Sequence, residues 1–369
     1  MTTLPVSSPL VPSLDALHER GRDLVWCAAL PLAWEALRTL VGGKVTLRDA
    51  RQPAGAAALV AALEAQPAVT GEVKPTAFVA AAGVADSSWE QHIAERLREQ
   101  FGPDTDARLP EQSKALTAYA YLTDAWVFRV PLCRTYGWFH VDGATFDSFG
   151  LWDSMPPSPL FDARAEQVLV HHYRLIRDGN YVEAPEDDDD PIEEWVVELL
   201  PEDSSDRVFV SRCRPGATLA DTATWVWSHT QRDPGNLQNS RLTRADRFEA
   251  PCLDVDLVGD LPALHGAVLE QGAAGTNIVG NVRQRLRFRL DEGAPGARAE
   301  ARLAGLYLPP RNLTCDGPFL LLVQRRAARV PTLAAWIETP ALLVPRAPRK
   351  ADKTGGTDAP GQLPSPRSA

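Results

Sequence analysis

One stretch near the C-terminus constrains the fold of this chain more than any other. Residues 282–290 alternate between two faces, with Val282, Leu286, Phe288 and Leu290 on one and Arg283, Arg285, Arg287 and Arg289 on the other. This period of two predicts a half-buried β-strand. Residues 294–308 are mostly small or polar with interspersed glycines, and they predict a long exposed loop. The apolar run at residues 319–323 then predicts a fully buried strand.

This order of elements resembles the serpins. In that family a strand ends in an acidic pair and a glycine, an exposed reactive loop follows, and a Pro-Phe strand leads back into the core. The matching residues are Asp291, Glu292 and Gly293 at the first strand, and Pro318 and Phe319 at the second. The resemblance implies an α+β fold of serpin type, with large mixed and antiparallel sheets, packed helices and an exposed reactive-centre loop.

The resemblance implies a single domain over residues 14–340, with the loop at residues 291–310. Residues 1–13 are rich in serine and proline, and we predict a mobile N-terminal segment there. Residues 341–369 are rich in Pro, Gly, Ser and charged residues, a composition that predicts a disordered tail.

The charge and hydropathy of the sequence limit the binding partners and the cellular compartment that can be expected. The chain has 369 residues, is 44% hydrophobic and carries a formal charge of −10, which argues against nucleic acid or an anionic membrane as a partner. Its apolar runs are shorter than the ~18 residues that a membrane span needs. The N-terminus lacks the basic start and apolar core of a signal peptide. We expect a cytoplasmic monomer, with secretion left open.

The five cysteines are scattered and never form a Cys-x-x-Cys pair. We expect them to be small buried side chains in a reducing compartment rather than ligands or disulfides.

Periodicity and turn residues predict further elements. The predicted helices are residues 14–22, a buried helix at 25–41 that Pro31 kinks and Gly42 ends, residues 56–65, residues 88–101 with a Ser87–Glu90 capping box, and residues 218–227. The predicted strands are residues 76–82, a long strand at 117–132, and a hairpin formed by 194–200 and 207–210.

Several positions depart from the serpin pattern. Ala28, Ala29 and Pro31 stand near the places of the family's serines beneath the main sheet, and Leu132 stands where the family has a tryptophan. Residues 102–116 leave little room for the long helix that crosses the front of the sheet in that family. These departures predict a main sheet that is packed differently from the usual one.

Signals for catalysis, metal or cofactor binding are weak. The carboxylate run at residues 183–194 favours a solvated loop over a metal site, since like charges repel. Asp254 and Asp256 occupy alternate strand positions, which favours a solvent face over a catalytic pair. His171 and His172 are adjacent and so point to different faces. We predict no enzymatic activity, no metal and no cofactor.

A group of glycines and a row of arginines could each indicate a binding function. Gly272, Gly275 and Gly280 do not precede a helix in a strand-loop-helix unit, so a phosphate-binding loop is not predicted. The arginine row of residues 283–289 suggests either nucleic-acid binding or a charged outer strand face. The negative net charge favours the outer face, where such residues keep a strand soluble.

The resemblance implies inhibition of a serine protease. The protease forms an acyl-enzyme on the loop, the cut loop inserts into the main sheet, and the protease is distorted before deacylation. In the family the hinge glycine precedes the attacked residue by about fourteen positions. Counting from Gly293 predicts the reactive bond between Tyr307 and Leu308, which suits a chymotrypsin-like or subtilisin-like protease.

The sequence of the predicted hinge, residues 291–298, suggests an alternative function. Alternate residues after Gly293 should face the core on insertion, which suits Ala294 and Gly296. Pro295 removes a ladder hydrogen bond. Arg298, Glu300 and Arg302 would bury charge, which costs several kcal/mol each. The alternative is therefore a non-inhibitory serpin scaffold that binds a protein or a small hydrophobic ligand.

Overall fold

The computed structural model describes residues 8–49, 51–110, 114–139, 143–152, 160–176, 192–203, 205–230, 241–273, 275–293 and 311–346. These residues form three β-sheets and five α-helices, so the predicted α+β class is confirmed. The helices are α1 (Ala29–Val41), α2 (Ala56–Ala65), α3 (Ser87–Phe101), α4 (Phe161–Ala165) and α5 (Leu219–Thr230).

A five-stranded sheet contains the arginine-bearing strand. Its order is β10 (Leu253–Asp260), β12 (Thr276–Leu290), β3 (Leu116–Ala125) and β2 (Phe78–Val84), with β11 (Val268–Ala273) paired to the start of β12. Strand β12 is antiparallel to β10 and parallel to β3. Helix α1 packs against β2, β3 and β12 on one side of this sheet. We call that side the core face and the opposite side the outer face.

A six-stranded antiparallel sheet contains the strand that follows the loop. Its order is β1 (Leu24–Cys27), β15 (Leu333–Ile337), β14 (Phe319–Arg325), β8 (Asp206–Arg212), β7 (Ile192–Leu199) and β6 (Val168–Ile176). Helix α5 covers one side, and the other side joins the main core. Because both sides are covered, residues 319–323 are apolar without alternation, as predicted.

A four-stranded sheet holds the far end of the loop. Its order is β13 (Asn312–Thr314), β9 (Arg247–Pro251), β5 (Ala144–Leu151) and β4 (Cys133–Phe139). Strand β13 is parallel to β9 and begins at the second described residue after the loop. The loop therefore leaves from one sheet and returns to another.

Helices α2 and α3 lie where the sequence predicts them, and β7 pairs with β8 as the predicted hairpin. Gly42 ends α1 with φ of 81°, a left-handed conformation that favours glycine. The predicted capping box at α3 is wrong by one residue. Asp86 is the N-cap, and its side chain accepts a hydrogen bond from the Trp89 amide.

The predicted helix at residues 14–22 is wrong. These residues form turns, and their carbonyls serve the start of α5 instead: Ala16 O accepts from Leu219 N at 3.0 Å and Leu14 O accepts from Ala220 N at 2.8 Å. The first amides of a helix have no acceptor within the helix, so the carbonyls of Leu14 and Ala16 supply two of the missing acceptors. These tertiary hydrogen bonds to α5 outweigh the local preference of residues 14–22 for a helix.

The predicted helix at residues 25–41 and the predicted strand at 117–132 are each too long. Residues 24–27 pair with β15 as a strand, and α1 begins at Ala29. Pro31 lies in the first turn of α1, where a missing amide breaks no helical bond. Strand β3 ends at Ala125, and residues 126–132 connect it to the four-stranded sheet.

A buried carboxylate links three strands of the six-stranded sheet. The Glu198 side chain is 3% exposed, its Oε2 lies 2.7 Å from His171 Nε2, and it accepts two bonds from Arg207 at 2.9 and 3.0 Å. Burial alone would raise the pKa of Glu198. The bonds from His171 and Arg207 outweigh burial and lower this pKa from 4.5 to about 2.

We expect Glu198→Gln to lower the free energy of unfolding by about 3 kcal/mol at pH 7, because Arg207 loses its buried anion. The folded-state pKa is depressed, so the stabilisation is present above pH 4.5 and is lost as pH falls toward 2. Urea unfolding at pH 7 and pH 3 should show the deficit shrinking at the lower pH. The exposed Glu202→Gln is the matched control, and an equal deficit at both pH values would contradict the prediction.

Candidate functional site

The structure describes both ends of the predicted loop and the sheet beside it. Asp291, Glu292 and Gly293 follow β12 directly and close the described segment. The other predicted site residues lie outside the described residues: Ala294, Pro295, Gly296, Arg298, Tyr307 and Leu308, together with Glu300 and Arg302. The described part of the candidate site consists of the two anchors of the loop and the strands beside them.

The predicted hinge begins with a turn that requires glycine. Gly293 has φ of 88°, and its amide donates to Asp291 Oδ1 at 2.9 Å. A Cβ at this position would lie 3.0 Å from Phe128 N. Both the backbone conformation and the close approach of Phe128 disfavour any larger residue.

Side chains and amides of the neighbouring segment hold the hinge. Leu132 N donates to Glu292 O at 3.0 Å. Arg134 donates to Glu292 Oε1 at 3.2 Å and to Asp147 Oδ2 at 2.7 Å, which ties the hinge to the four-stranded sheet. Leu132, which stands where the family has a tryptophan, thus contributes its backbone to the hinge.

Beside the hinge, β3 and β12 pair directly in parallel. Their register runs from Val279 opposite Leu116 to Arg289 opposite Ala125. We call this pairing the seam. It is the place where a further strand from the end of β12 would have to enter.

The core face of the seam carries a polar contact that the sequence analysis missed. Gln284 lies on the apolar row of β12 and is buried, and the Cys27 thiol donates to its Oε1 at 3.5 Å. Burial raises the pKa of Cys27 to about 12, so the thiol is protonated and can donate. The one sequence signal for this contact is the side-chain amide of Gln284 in an otherwise apolar row. Ala28 and Ala29 are fully buried nearby and provide no hydroxyl.

A small cavity of about 20 Å³ lies under the seam near the hinge, with room for one water. Its lining includes Lys74, Asp124 and Asp206, and Lys74 also donates to Asp203 at 3.0 Å. Burial, and then the nearby Asp206 charge, raise the pKa of Asp124 from 3.8 to about 6, against the pull of Lys74. An ionised Asp124 is therefore unfavourable beneath the seam.

On the outer face, residues 102–110 cross the seam as an irregular segment that we call the strap. Arg283 donates from β12 to the carbonyls of Arg108 at 3.0 Å and Leu109 at 2.9 Å. Tyr119 donates from β3 to the Ala107 carbonyl at 2.6 Å. The strap thus joins the two strands of the seam, in the region where the sequence predicted too little room for a helix.

An ion pair between a buried arginine and a half-buried aspartate supports the strap. Arg285 is 2% exposed, donates to both carboxylate oxygens of Asp256 at 2.9 Å, and also bonds the Asp106 carbonyl. Arg108 has φ of 42° and lies 3.2 Å from Asp256. The prediction of a solvated arginine face is therefore wrong for Arg285, although Arg287 is exposed as expected.

The far end of the loop is fixed by a second buried ion pair. Asp246 Oδ1 accepts from Arg311 N at 2.8 Å and Nε at 3.1 Å, and its Oδ2 accepts from Nη2 at 2.8 Å. The Asp246 side chain is fully buried. Burial opposes ionisation, but the bonds from Arg311 and from the Thr243 amide lower the pKa of Asp246. No sequence signal marked this pair, which joins residues 65 positions apart.

Solved structures with this arrangement of sheets match most of the chain. Maspin matches with a TM-score of 0.50 at 11% identity, covering 86% of this chain and 92% of that one. The chain has the serpin fold. Native protease nexin-1, crystallised with heparin, matches with a TM-score of 0.50 at 10% identity over 86% and 92% of the two chains. A tumour-suppressing serpin matches equally well, at 10% identity over 86% and 93%.

No protein-family model and no curated protein matches the sequence. The predicted resemblance to serpins is nevertheless confirmed at the level of the fold. At 10–11% identity the likeness establishes the fold alone.

The described residues give no sign of a metal site or of a membrane-spanning helix. Among the described residues, no group of three or more His, Cys, Asp or Glu could hold a metal ion. The described helices include none that is long and apolar enough to cross a membrane. Cys27, Cys213, Cys252 and Cys315 are buried, as the sequence predicts, whereas Cys133 is half-buried.

We expect Asp124→Asn to raise the free energy of unfolding by about 1.5 kcal/mol at pH 8, because it removes a carboxylate that is ionised at a cost. The folded-state pKa is raised, so the wild type loses stability as pH rises from 3.8 through about 6. Urea unfolding at pH 4, 6 and 8 should show the gain only at the higher values. The exposed Asp254→Asn is the control, and a loss of stability at pH 8 would mean that ionised Asp124 is needed by Lys74.

Proposed function

We propose that this chain is a serpin-type inhibitor of a serine protease. Residues 294–310 are offered to the protease as a substrate, and the cut loop then enters the seam. The observation that supports this most directly is topological: the loop leaves the sheet at the end of β12, and β12 is parallel to its neighbour β3.

The parallel seam provides an energetic reason for insertion. A segment that reverses at Gly293 runs antiparallel to β12, and therefore antiparallel to β3 as well. Its entry replaces one parallel pairing by two antiparallel pairings, which are slightly more stable per residue. It also gives the loop backbone hydrogen-bond partners on both sides. The uncut chain thus stores free energy as a missing strand.

The length of the loop fits the seam. The seam spans positions 279–289 of β12, which is about 36 Å at ~3.3 Å per residue. Residues 294–307, up to the predicted reactive bond, reach about 46 Å when extended. A loop cut at Tyr307 can therefore fill the whole seam.

The covalent step follows ordinary serine-protease chemistry. The protease serine attacks the Tyr307 carbonyl, the bond to Leu308 breaks, and the Leu308 amine leaves with the proton that the protease histidine returns. Tyr307 remains as an ester on the serine and is carried along the seam as the loop enters. An aromatic residue at this position favours a chymotrypsin-like or subtilisin-like protease. The Arg311–Asp246 pair holds the other cut end in place.

We expect chymotrypsin to form a complex with the intact protein that survives denaturation on a gel. We also expect cleavage near Tyr307 to raise the melting temperature by about 20 °C, given ~1 kcal/mol for each new ladder hydrogen bond. Tyr307→Glu, which chymotrypsin should not cut there, is the control. Cleavage without a covalent complex and without a rise in melting temperature would contradict protease inhibition. That result would favour a non-inhibitory scaffold.

A second candidate is a non-inhibitory serpin scaffold that binds a protein or a small hydrophobic ligand. The strap favours it, because Tyr119 and Arg283 tie the two sides of the seam to one segment. Insertion separates β3 from β12, so at least one of these ties must break first. Slow release would let the protease deacylate and turn an inhibitor into a substrate.

We expect Arg283→Gln to loosen the strap, because the variant loses the paired bonds to the Arg108 and Leu109 carbonyls. Amides of β3 and β12 should exchange with deuterium several-fold faster in the intact protein, and complex formation should rise. Arg287→Gln, an exposed arginine on the same strand, is the matched control. Unchanged exchange rates would mean that the strap does not hold the seam together. The main argument for a non-inhibitory scaffold would then fail.

We also infer one serpin-like domain over residues 14–340, acting as a cytoplasmic monomer without nucleic-acid or membrane partners. Packing continues slightly beyond both bounds, since Val11 is buried beside β1 and Leu343 is buried and bridged to Leu253. Because the solved structures that share the fold are named as serpins, we propose no enzymatic activity for this chain.

A further inference from the structure

Two adjacent histidines of β6 lie on the same side of the six-stranded sheet. The register of β6 against β7 shifts between Val170 and His172, so His171 is the extra residue of a β-bulge. Val170 and Tyr173 pack in the main core. His171 lies beside Phe209 and His172 lies beside α5, both on the opposite side of the sheet. The prediction that these neighbours point to different faces is therefore wrong, because the bulge interrupts the alternation.

Helix α5 places a third histidine against His172. The ring centroids of His172 and His229 are 4.3 Å apart, and the Trp225 ring lies 4.2 Å from His229 and 5.6 Å from His172. We call these three half-buried rings the ring cluster. His229 belongs to the last turn of α5, and β6 is an edge strand of the sheet. The cluster thus joins the C-terminal end of the helix to the edge of the sheet.

The surroundings of His229 accommodate one positive charge. Its Nδ1 lies 2.8 Å from the Trp225 carbonyl oxygen, which can only accept, so Nδ1 carries a hydrogen and Nε2 is the atom that gains a proton. The last turn of a helix stabilises a cation. The electron-rich ring of Trp225, in contact with the imidazole, also stabilises a cation.

A second positive charge, on His172, is not accommodated. It would lie on a ring whose centroid is 4.3 Å from that of His229. Two like charges repel strongly at such a distance, and half-buried surroundings screen them less than bulk water does. Because an imidazole ordinarily titrates near pH ~6.5, this repulsion develops as the pH falls toward 5.

The neighbouring carboxylates do not cancel this repulsion, because each already faces a cation. Glu198 accepts from Arg207 and lies 2.7 Å from His171, and Glu194 of β7 lies directly opposite Arg174 of β6. Near the other end of α5 are Asp221 and His18. The described charged and titratable groups that the packed strands place around the cluster are His171, Arg174, Glu194, Glu198, Arg207 and Arg326.

We infer that the ring cluster is a pH-sensitive latch. At neutral pH it holds the C-terminal end of α5 against β6, and protonation of both His172 and His229 releases that end. The first turn of α5 keeps its hydrogen bonds to the carbonyls of residues 14–16, so the helix pivots there. Release uncovers the apolar side of the sheet beneath α5, which includes Val196 and Phe209. This latch acts independently of the proposed inhibition of a protease.

The test is hydrogen–deuterium exchange of the whole chain at pH 7.5 and pH 5.5, corrected for the intrinsic effect of pH on exchange. We expect amides of residues 225–230 to exchange about five-fold faster at pH 5.5, while residues 219–222 change little. His172→Gln and His229→Gln each remove one of the two charges and should abolish most of this acceleration. His92→Gln, at an exposed histidine of α3, is the matched control and should keep it.

A charge reversal tests the physical cause separately. In His172→Glu a carboxylate stands beside His229 and attracts its proton, so the end of α5 should exchange more slowly at pH 5.5 than at pH 7.5. Circular dichroism at pH 7.5 shows that each variant is folded. Absence of acceleration in the wild type, or undiminished acceleration in both glutamine variants, would overturn the inference. Acceleration in His172→Glu would also overturn it, because release would then not come from repulsion.

Discussion

The parallel pairing of β3 with β12 is the interaction on which the rest of the structure depends. It closes the five-stranded sheet along the line where the loop would enter. The strap joins its two strands from the outer face, while Gln284 and Cys27 meet on its core face. This pairing would have to open for the proposed insertion of the loop.

Two ion pairs, each with one buried partner, fix segments in different parts of the fold. Arg285 and Asp256 connect β12 to β10 and to the strap, whereas Arg311 and Asp246 fix the start of β13. Such pairs add little net stability compared with apolar contacts, but losing one partner is costly. They therefore specify where the segments lie more than they strengthen the fold.

Periodicity predicts those elements whose neighbours impose one simple pattern. The alternation of β12, the apolar run of β14 and the four-residue repeat of α3 each reflect how many sides are covered. The pattern could not show what covers an outer face, because a solvated arginine and one bonded to the strap occupy the same position in the alternation. The prediction that Arg285 is solvated is wrong for that reason. The Asp246–Arg311 pair joins distant residues with no local pattern, so only the folded chain reveals it.

Register is the remaining quantity that a period of two leaves open. The loop alternates as clearly as β12 does, yet the same alternation is compatible with burying either its alanines or its charges. A shift of one residue moves every side chain of a strand to the other face, so the sequence pattern alone does not say which row would meet the core of a sheet.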